Sequence, residues 1–286
     1  MNLTPSTSGL EDLTQLAQNQ FKFAISGCST CASYHAIWPY LRITGAVGGV
    51  EADEPFLQPL LNRVLAHGAR NILLAGSADS GVMALVYRAL LMYKHSARLT
   101  LIDRCATPLR ACQEYAQSQG IELTTIQEDL AMMSLSECAD LIIGHSVLPF
   151  IHEGERRNVL SRMAKALTPG GHLLLTVRIA PANLRKDVVQ VRSPEEMAAF
   201  VLHGLCERSI ELPCTELKFT SMVRDFYLHR SYQVSLFRDS SILSNELKSI
   251  GLGLVDVCPL GYGNNYAASS DNRSMGWAYI ATRLAN

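Results

Sequence analysis

The sequence predicts an α/β fold, and three observations carry that reading. An apolar run, Ile72 to Ala75, has the length of a strand covered on both faces and meets a turn of small residues. A helical pattern begins directly after that turn, with Val82, Leu85, Val86, Ala89, Leu90 and Tyr93 at helical spacing. A second β-like run, Arg98 to Ile102, then ends in an acidic residue, Asp103.

The turn is the stretch the other elements are arranged around. Gly76, Ser77, Ala78, Ser80 and Gly81 let a ligand approach the backbone, and Gly76 or Gly81 can take positive φ without the penalty of a Cβ. Strand, small-residue loop and helix N-terminus together make a site for a nucleotide-like ligand. The same turn also occurs in α/β proteins that bind nothing there. Asp103 sharpens the reading, because a carboxylate at that strand end can accept both ribose hydroxyl protons. Its alternative role is a helix cap, but Thr107 and Pro108 offer a better cap and first-turn pair.

Composition bounds the rest. The 286 residues are 48% hydrophobic and 18% charged, enough to bury a full core. A formal net charge of -1 leaves no basic excess, so nucleic acid is not an expected partner. The start, Met1-Asn-Leu-Thr-Pro-Ser-Thr-Ser8, lacks the pattern of a signal peptide, and no apolar run reaches spanning length. The expectation is a cytoplasmic protein without a membrane partner, its oligomeric state open. Eight cysteines without framework spacing fit reduced thiols.

Residues 1–52 read as an N-terminal helical cap segment, and 53–286 as the α/β domain. In the cap, Leu10, Leu13, Leu16 and Ala17 give a short amphipathic helix ended by Gly27. Cys28-Ser-Thr-Cys31 is half a metal site or redox pair, but no second ligand pair stands out, so the reading is two packed thiols at a turn. Tyr34, Trp38 and Tyr40 either anchor a helix on the core or line a substrate pocket. Asp53-Glu-Pro55 opens the next helix, with Asp53 as N-cap and Phe56, Leu57, Leu60, Leu61, Val64 and Leu65 as its buried stripe.

Asp140 to Gly144 is a strand that stops at His145-Ser146, where its carboxyl end faces the expected crevice. His145 either orients a substrate and takes a proton, or is structural. His152 reads as a capping or solvated residue, and Arg156, Arg157, Arg162 and Lys165 as a solvated helix face. His172 to Val177 is another strand, with Arg178 beyond it.

From about 180 to 240 the chain leaves the sheet pattern. Ser193-Pro-Glu-Glu196 is a capping box, and Met222, Phe226 and Tyr227 stand in a segment rich in Met and aromatics. The insertion is too long for an ordinary connection and reads as a helical lid. Its apolar stripe is more often core than pocket. Leu252 to Val257 and Trp277 to Thr282 read as closing strands.

From about Asp53 to Val177 the chain resembles the class I S-adenosylmethionine (SAM) dependent methyltransferases. The motifs that match are Gly76-Ser-Ala78-Asp-Ser-Gly81, Asp103, Asp129 in Gln-Glu-Asp-Leu130, Ala139-Asp-Leu-Ile-Ile-Gly-His-Ser146, and Leu167-Thr-Pro-Gly-Gly171, the last being the most specific. Two positions depart from the pattern: the second motif glycine is Ala78, and Leu74 replaces the usual acidic residue before the first glycine.

The resemblance implies a Rossmann-like, seven-stranded, mostly parallel sheet with an antiparallel last strand, helices on both faces and a helical cap. It implies SAM as cofactor, bound by Gly76, Ser77, Ala78, Gly81, Asp103, Arg104, Asp129, Leu130, His145 and Ser146, and no metal. It also implies methyl transfer to a small molecule, with Tyr34, Trp38, Tyr40 and Arg178 toward the substrate and His145 and Tyr34 as catalytic candidates. Some members instead attack SAM at its aminocarboxypropyl chain and release methylthioadenosine, and the atypical loop is compatible with that. A non-catalytic SAM-binding protein is the third reading.

Overall fold

A computed structural model describes residues 7–27, 31–94, 96–179, 193–233, 237–262 and 275–284. Its centre is a seven-stranded sheet made of β1 (Asn71–Ala75), β2 (Arg98–Asp103), β3 (Leu123–Gln127), β4 (Ala139–His145), β5 (Leu167–Ile179), β6 (Leu252–Tyr262) and β7 (Met275–Arg283), in the order β3-β2-β1-β4-β5-β7-β6. β1 pairs parallel with β2 and β4, β2 with β3, and β4 with β5, whereas β7 runs antiparallel to both β5 and β6. The Leu-Thr-Pro-Gly-Gly turn lies within the first residues of β5, and Gly170 takes φ +78° there.

The central strands are buried on both faces because helices cover each side. On one face α3 (Val50–Ala66), α4 (Gly81–Met92) and α5 (Ala106–Gln119) pack Leu57, Leu61, Val64, Met83, Val86 and Leu109 against Ile72, Leu74 and Leu101. On the other, α6 (Glu153–Ala166) and α9 (Ser240–Ser249) pack Val159, Leu160, Met163, Leu243 and Leu247 against Leu73, Ile142 and Leu173.

A third cluster joins chain segments that the sequence kept apart. Phe21 of α1 (Thr7–Gly27), Ile37 and Tyr40 of α2 (Ala32–Ile43), Val201 of α7 (Pro194–Glu207), and Phe219, Val223 and Phe226 of α8 (Glu216–Gln233) share one apolar core. Cap and insertion are therefore one helical unit. α7 has the expected capping box between Ser193 and Glu196. Cys28, part of the expected insertion (180–192) and most of the last hairpin loop lie outside the described residues.

Several expectations are corrected. α1 is longer than the short helix read from its apolar spacing. α3 begins at Val50 with Gly49 as N-cap, so the boundary at 52/53 falls inside a helix and Asp53 is not a cap. Its side chain is instead buried, and Phe56 is 44% exposed. The cap position of α5 is Cys105, while Thr107 and Pro108 lie buried inside the helix. Arg156 is not solvated: it is buried, donates to the carbonyls of Leu148 and Ile151, and lies over the Phe237 ring. His152 caps α6, accepting from Gly154 N–H at 3.2 Å. Among the described residues no helix is long and apolar enough to cross a membrane.

The shared core sets an expected outcome. Phe219 is fully buried between α8 and Tyr40 of α2, so Phe219→Ala should cost about 3–5 kcal/mol in urea unfolding. Amide exchange should quicken in α2 as well as α8. Quickening confined to α8 would contradict a single helical unit.

Candidate functional site

The carboxyl ends of β1, β2 and β4 meet where the strand order reverses, the place where open α/β sheets leave a crevice. Gly76 leaves β1 with φ +76°, and a Cβ there would stand 2.7 Å from Val147 Cγ2. Its N–H donates to Ile102 at 2.8 Å, tying the loop to β2. Asp103 continues the tie. Its Oδ2 accepts from Ser77 N–H at 2.9 Å and its Oδ1 from Cys105 N–H at 2.7 Å. Asp103 thus helps turn the chain into α5 as well as facing the loop. Burial pushes its carboxyl above the ordinary range, and the two backbone N–H groups only partly offset this.

The middle of the loop is held from the helical unit. Asp79, buried at 9% exposure, accepts from Gly81 N–H at 2.8 Å through Oδ1 and from Trp38 Nε1–H at 2.9 Å through Oδ2. Arg42 pairs with the same Oδ2 and with Glu51. A Cβ on Gly81 would lie 3.0 Å from Asp79 Oδ1 and from Val50 Cγ1, so this helix start leaves no room for a larger residue. Gln20 of α1, also buried, donates to the carbonyls of Ala78 at 2.9 Å and His35 at 3.0 Å. Gln20, Trp38 and Arg42 fix a loop some forty to sixty residues further along the chain.

At the end of β4, His145 Nε2 lies 3.0 Å from Asp53 Oδ2, and Arg178 NH2 lies 3.1 Å from Asp53 Oδ1. An ionised carboxylate only accepts hydrogen bonds, which puts the imidazole proton on Nε2 and leaves Nδ1 as the acceptor. Burial would raise the Asp53 carboxyl, but the His145 hydrogen bond and the Arg178 charge outweigh it and hold it below its ordinary value. Arg178 NH1 is buried without a hydrogen-bond partner among the described residues. The next residue, Ser146, takes φ +53°, held by its N–H on the backbone oxygen and the hydroxyl of Thr176. Such a conformation at a non-glycine residue is uncommon and marks a shaped site.

Above this edge Tyr34 stacks between Trp38, with centroids 5.6 Å apart, and Phe226 at 5.3 Å, and meets Phe150 edge-on at 5.7 Å. Phe150 belongs to the short 3-10 turn Leu148–Phe150 after β4, so this aromatic group joins the helical unit to the strand that carries His145. Tyr40 is not part of it. It is fully buried against Phe21 and Phe219 and packs the helical core. Asp129 is exposed and accepts from Ala131 N–H at 2.8 Å, Leu130 is buried beneath it, and Arg104 is exposed beside Asp103.

Asp53, Asp79, Gln20 and Arg42 were not expected at the site. Asp79 carried a signal, because an acidic residue two positions before a helix's first residue is a natural acceptor for its N–H groups.

Residues 72–171 match a family described as a methyltransferase domain. No protein of curated function matches the chain significantly. Among solved structures, geranyl diphosphate methyltransferase in complex with SAM is 9% identical over 79% of this chain and 85% of that one, with a TM-score of 0.51. The YcgJ protein of Bacillus subtilis is 13% identical over 78% and 97%, with a TM-score of 0.50. N-methyltransferase NodS of Bradyrhizobium japonicum with S-adenosyl-L-homocysteine is 17% identical over 81% and 87%, with a TM-score of 0.49. At these identities the likeness is one of fold.

The Asp53 cluster generates an acid-sensitivity. A carboxyl held below its unfolded value adds stability that is present above about pH 4 and is lost as pH falls through the folded pKa. Asp53→Asn strands His145 and Arg178 and should cost about 3–5 kcal/mol at neutral pH. Its stability should then fall less steeply in acid than the wild type. Parallel pH profiles in urea unfolding would contradict the pairing.

Proposed function

The chain carries a class I SAM-dependent methyltransferase domain, and from that premise we propose that it binds SAM at the carboxyl edge of β1, β2 and β4 and methylates a small molecule. The observation that carries this is the juxtaposition of Gly76 and Asp103 at the switch point. Each Asp103 oxygen accepts one backbone N–H, and a carboxylate has about four acceptor positions, so acceptors remain for two ribose hydroxyls. The residues present therefore fit the cofactor.

In this reading Gly76, Ser77, Ala78 and Gly81 border the cofactor, Asp103 holds the ribose, and Arg104, Asp129 and Leu130 flank the base. His145 and Ser146 close the reacting end. SAM supplies an activated methyl group, so the protein's work is to align donor and nucleophile and exclude water. Stacked Tyr34, Trp38 and Phe226 provide the dry wall. Arg178 NH1, a buried donor lacking a partner among the described residues, suits a carboxylate of the substrate. His145 can take a proton at Nδ1 while Asp53 stabilises the resulting imidazolium. The expected partner remains a small molecule, not nucleic acid or membrane.

A second reading keeps cofactor and fold and takes SAM's own amine as nucleophile. The packed aromatic group over the β4 edge favours it, because an enclosed site can fold the methionine chain back on itself. Purified protein incubated with SAM alone separates the two. Methyl transfer predicts that SAM persists until an acceptor is supplied, whereas steady release of methylthioadenosine would replace that reading with the second.

Cofactor binding has its own check. Asp103→Ala should weaken SAM binding by about 1.5–3 kcal/mol in calorimetry, the range for hydrogen bonds to a charged group. Unchanged affinity in a folded variant would move the ribose elsewhere.

A further inference from the structure

Beside the crevice the fold assembles two cysteines and a histidine from distant parts of the chain. Cys31 is the residue before α2, His35 lies one turn further on, and Cys105 is the residue before α5. The Cys31 and Cys105 sulfurs are 3.5 Å apart across 74 positions of sequence. A His35 ring nitrogen and both sulfurs lie within 4.8 Å of one another. His35 is only 6% exposed, and its Nδ1 has no hydrogen-bond partner among the described residues. A buried imidazole nitrogen without a partner is costly, so thiol packing at a turn does not account for the cluster.

We propose that Cys31, His35 and Cys105 form a zinc site. Two thiolates held about 2.3 Å from a tetrahedral zinc stand roughly 3.8 Å from each other, and a thiolate and an imidazole nitrogen about 3.6 Å. The observed separations need only small side-chain shifts to reach these values. A disulfide would instead require the sulfurs to close to about 2.05 Å. Two sulfurs and one nitrogen are a soft set that suits zinc over magnesium or calcium. On binding, each S–H bond breaks, its electron pair forms a Zn–S bond, and its proton leaves to solvent, with no change of oxidation state. The ion ties the start of α2 to the loop two residues beyond Asp103, so it clamps the helical unit to the β2 edge. This site goes beyond the transferase reading and does not rest on it.

The test uses the full chain, purified under reductant, stripped with a chelator, and titrated with Zn2+ or Co2+. The expected result is about one ion per chain, release of about two protons per ion, and a cobalt spectrum with tetrahedral ligand-field bands and thiolate charge transfer. Cys31→Ser and Cys105→Ser should each abolish stoichiometric uptake, and Cys206→Ser, at an exposed cysteine, should leave it unchanged. Should a site variant fail to fold, the wild-type cobalt spectrum and proton count decide alone. No stoichiometric ion, an octahedral spectrum without charge transfer, or undiminished uptake in both folded site variants would overturn the proposal.

Discussion

The buried carboxylate of Asp79 is the constraint on which the site depends. A carboxylate removed from water must be paired and hydrogen-bonded, or it destabilises the fold by several kcal/mol. Here the partners are the first N–H of α4, the Trp38 indole and the Arg42 guanidinium. Only the first is local. The loop that borders the proposed cofactor is therefore completed by a helix from a different core, and its conformation is coupled to the position of that helix.

The same coupling explains the arrangement of the helical unit. α1 and α2 share apolar packing with α7 and α8, while Gln20 and Arg42 reach the loop and Tyr34 reaches Phe150 after β4. The unit touches the edges of β1 and β4 at once. Below it, Asp53 joins α3 to β4 and β5 through His145 and Arg178. Two buried acidic residues, one on each side of the switch point, thus set the walls of the crevice by their need for partners.

Much of this was legible in the sequence. Short apolar runs ending in Gly76, Asp103 and His145-Ser146 announced strands and their functional ends, because buried parallel strands leave little freedom in composition. The turn at Leu167 to Gly171 and the capping box at Ser193 were readable because their signals are local. What escaped was decided by tertiary partners. Asp53 followed by proline has the form of a cap, and only the arrival of Arg178 makes its burial favourable. Tyr40 and Trp38 lie two residues apart on one helix, and spacing alone does not say that one meets Phe219 and the other Asp79. Arg156 looked solvated until Phe237 and two free carbonyls came within reach of it. Cys31 looked half-matched because its neighbour Cys105 is supplied by the other side of the fold.

The central claim, that the helical unit fixes the loop through Asp79, is tested most directly by a double-mutant cycle. Arg42→Ala, Asp79→Ala and the double variant are compared with the wild type by urea unfolding and by calorimetric SAM affinity. The account predicts a coupling energy of about 1–3 kcal/mol in stability, with all three variants weakened toward SAM because each frees the loop. Effects that add to within about 0.5 kcal/mol, with SAM affinity unchanged, would show that loop and helical unit are independent.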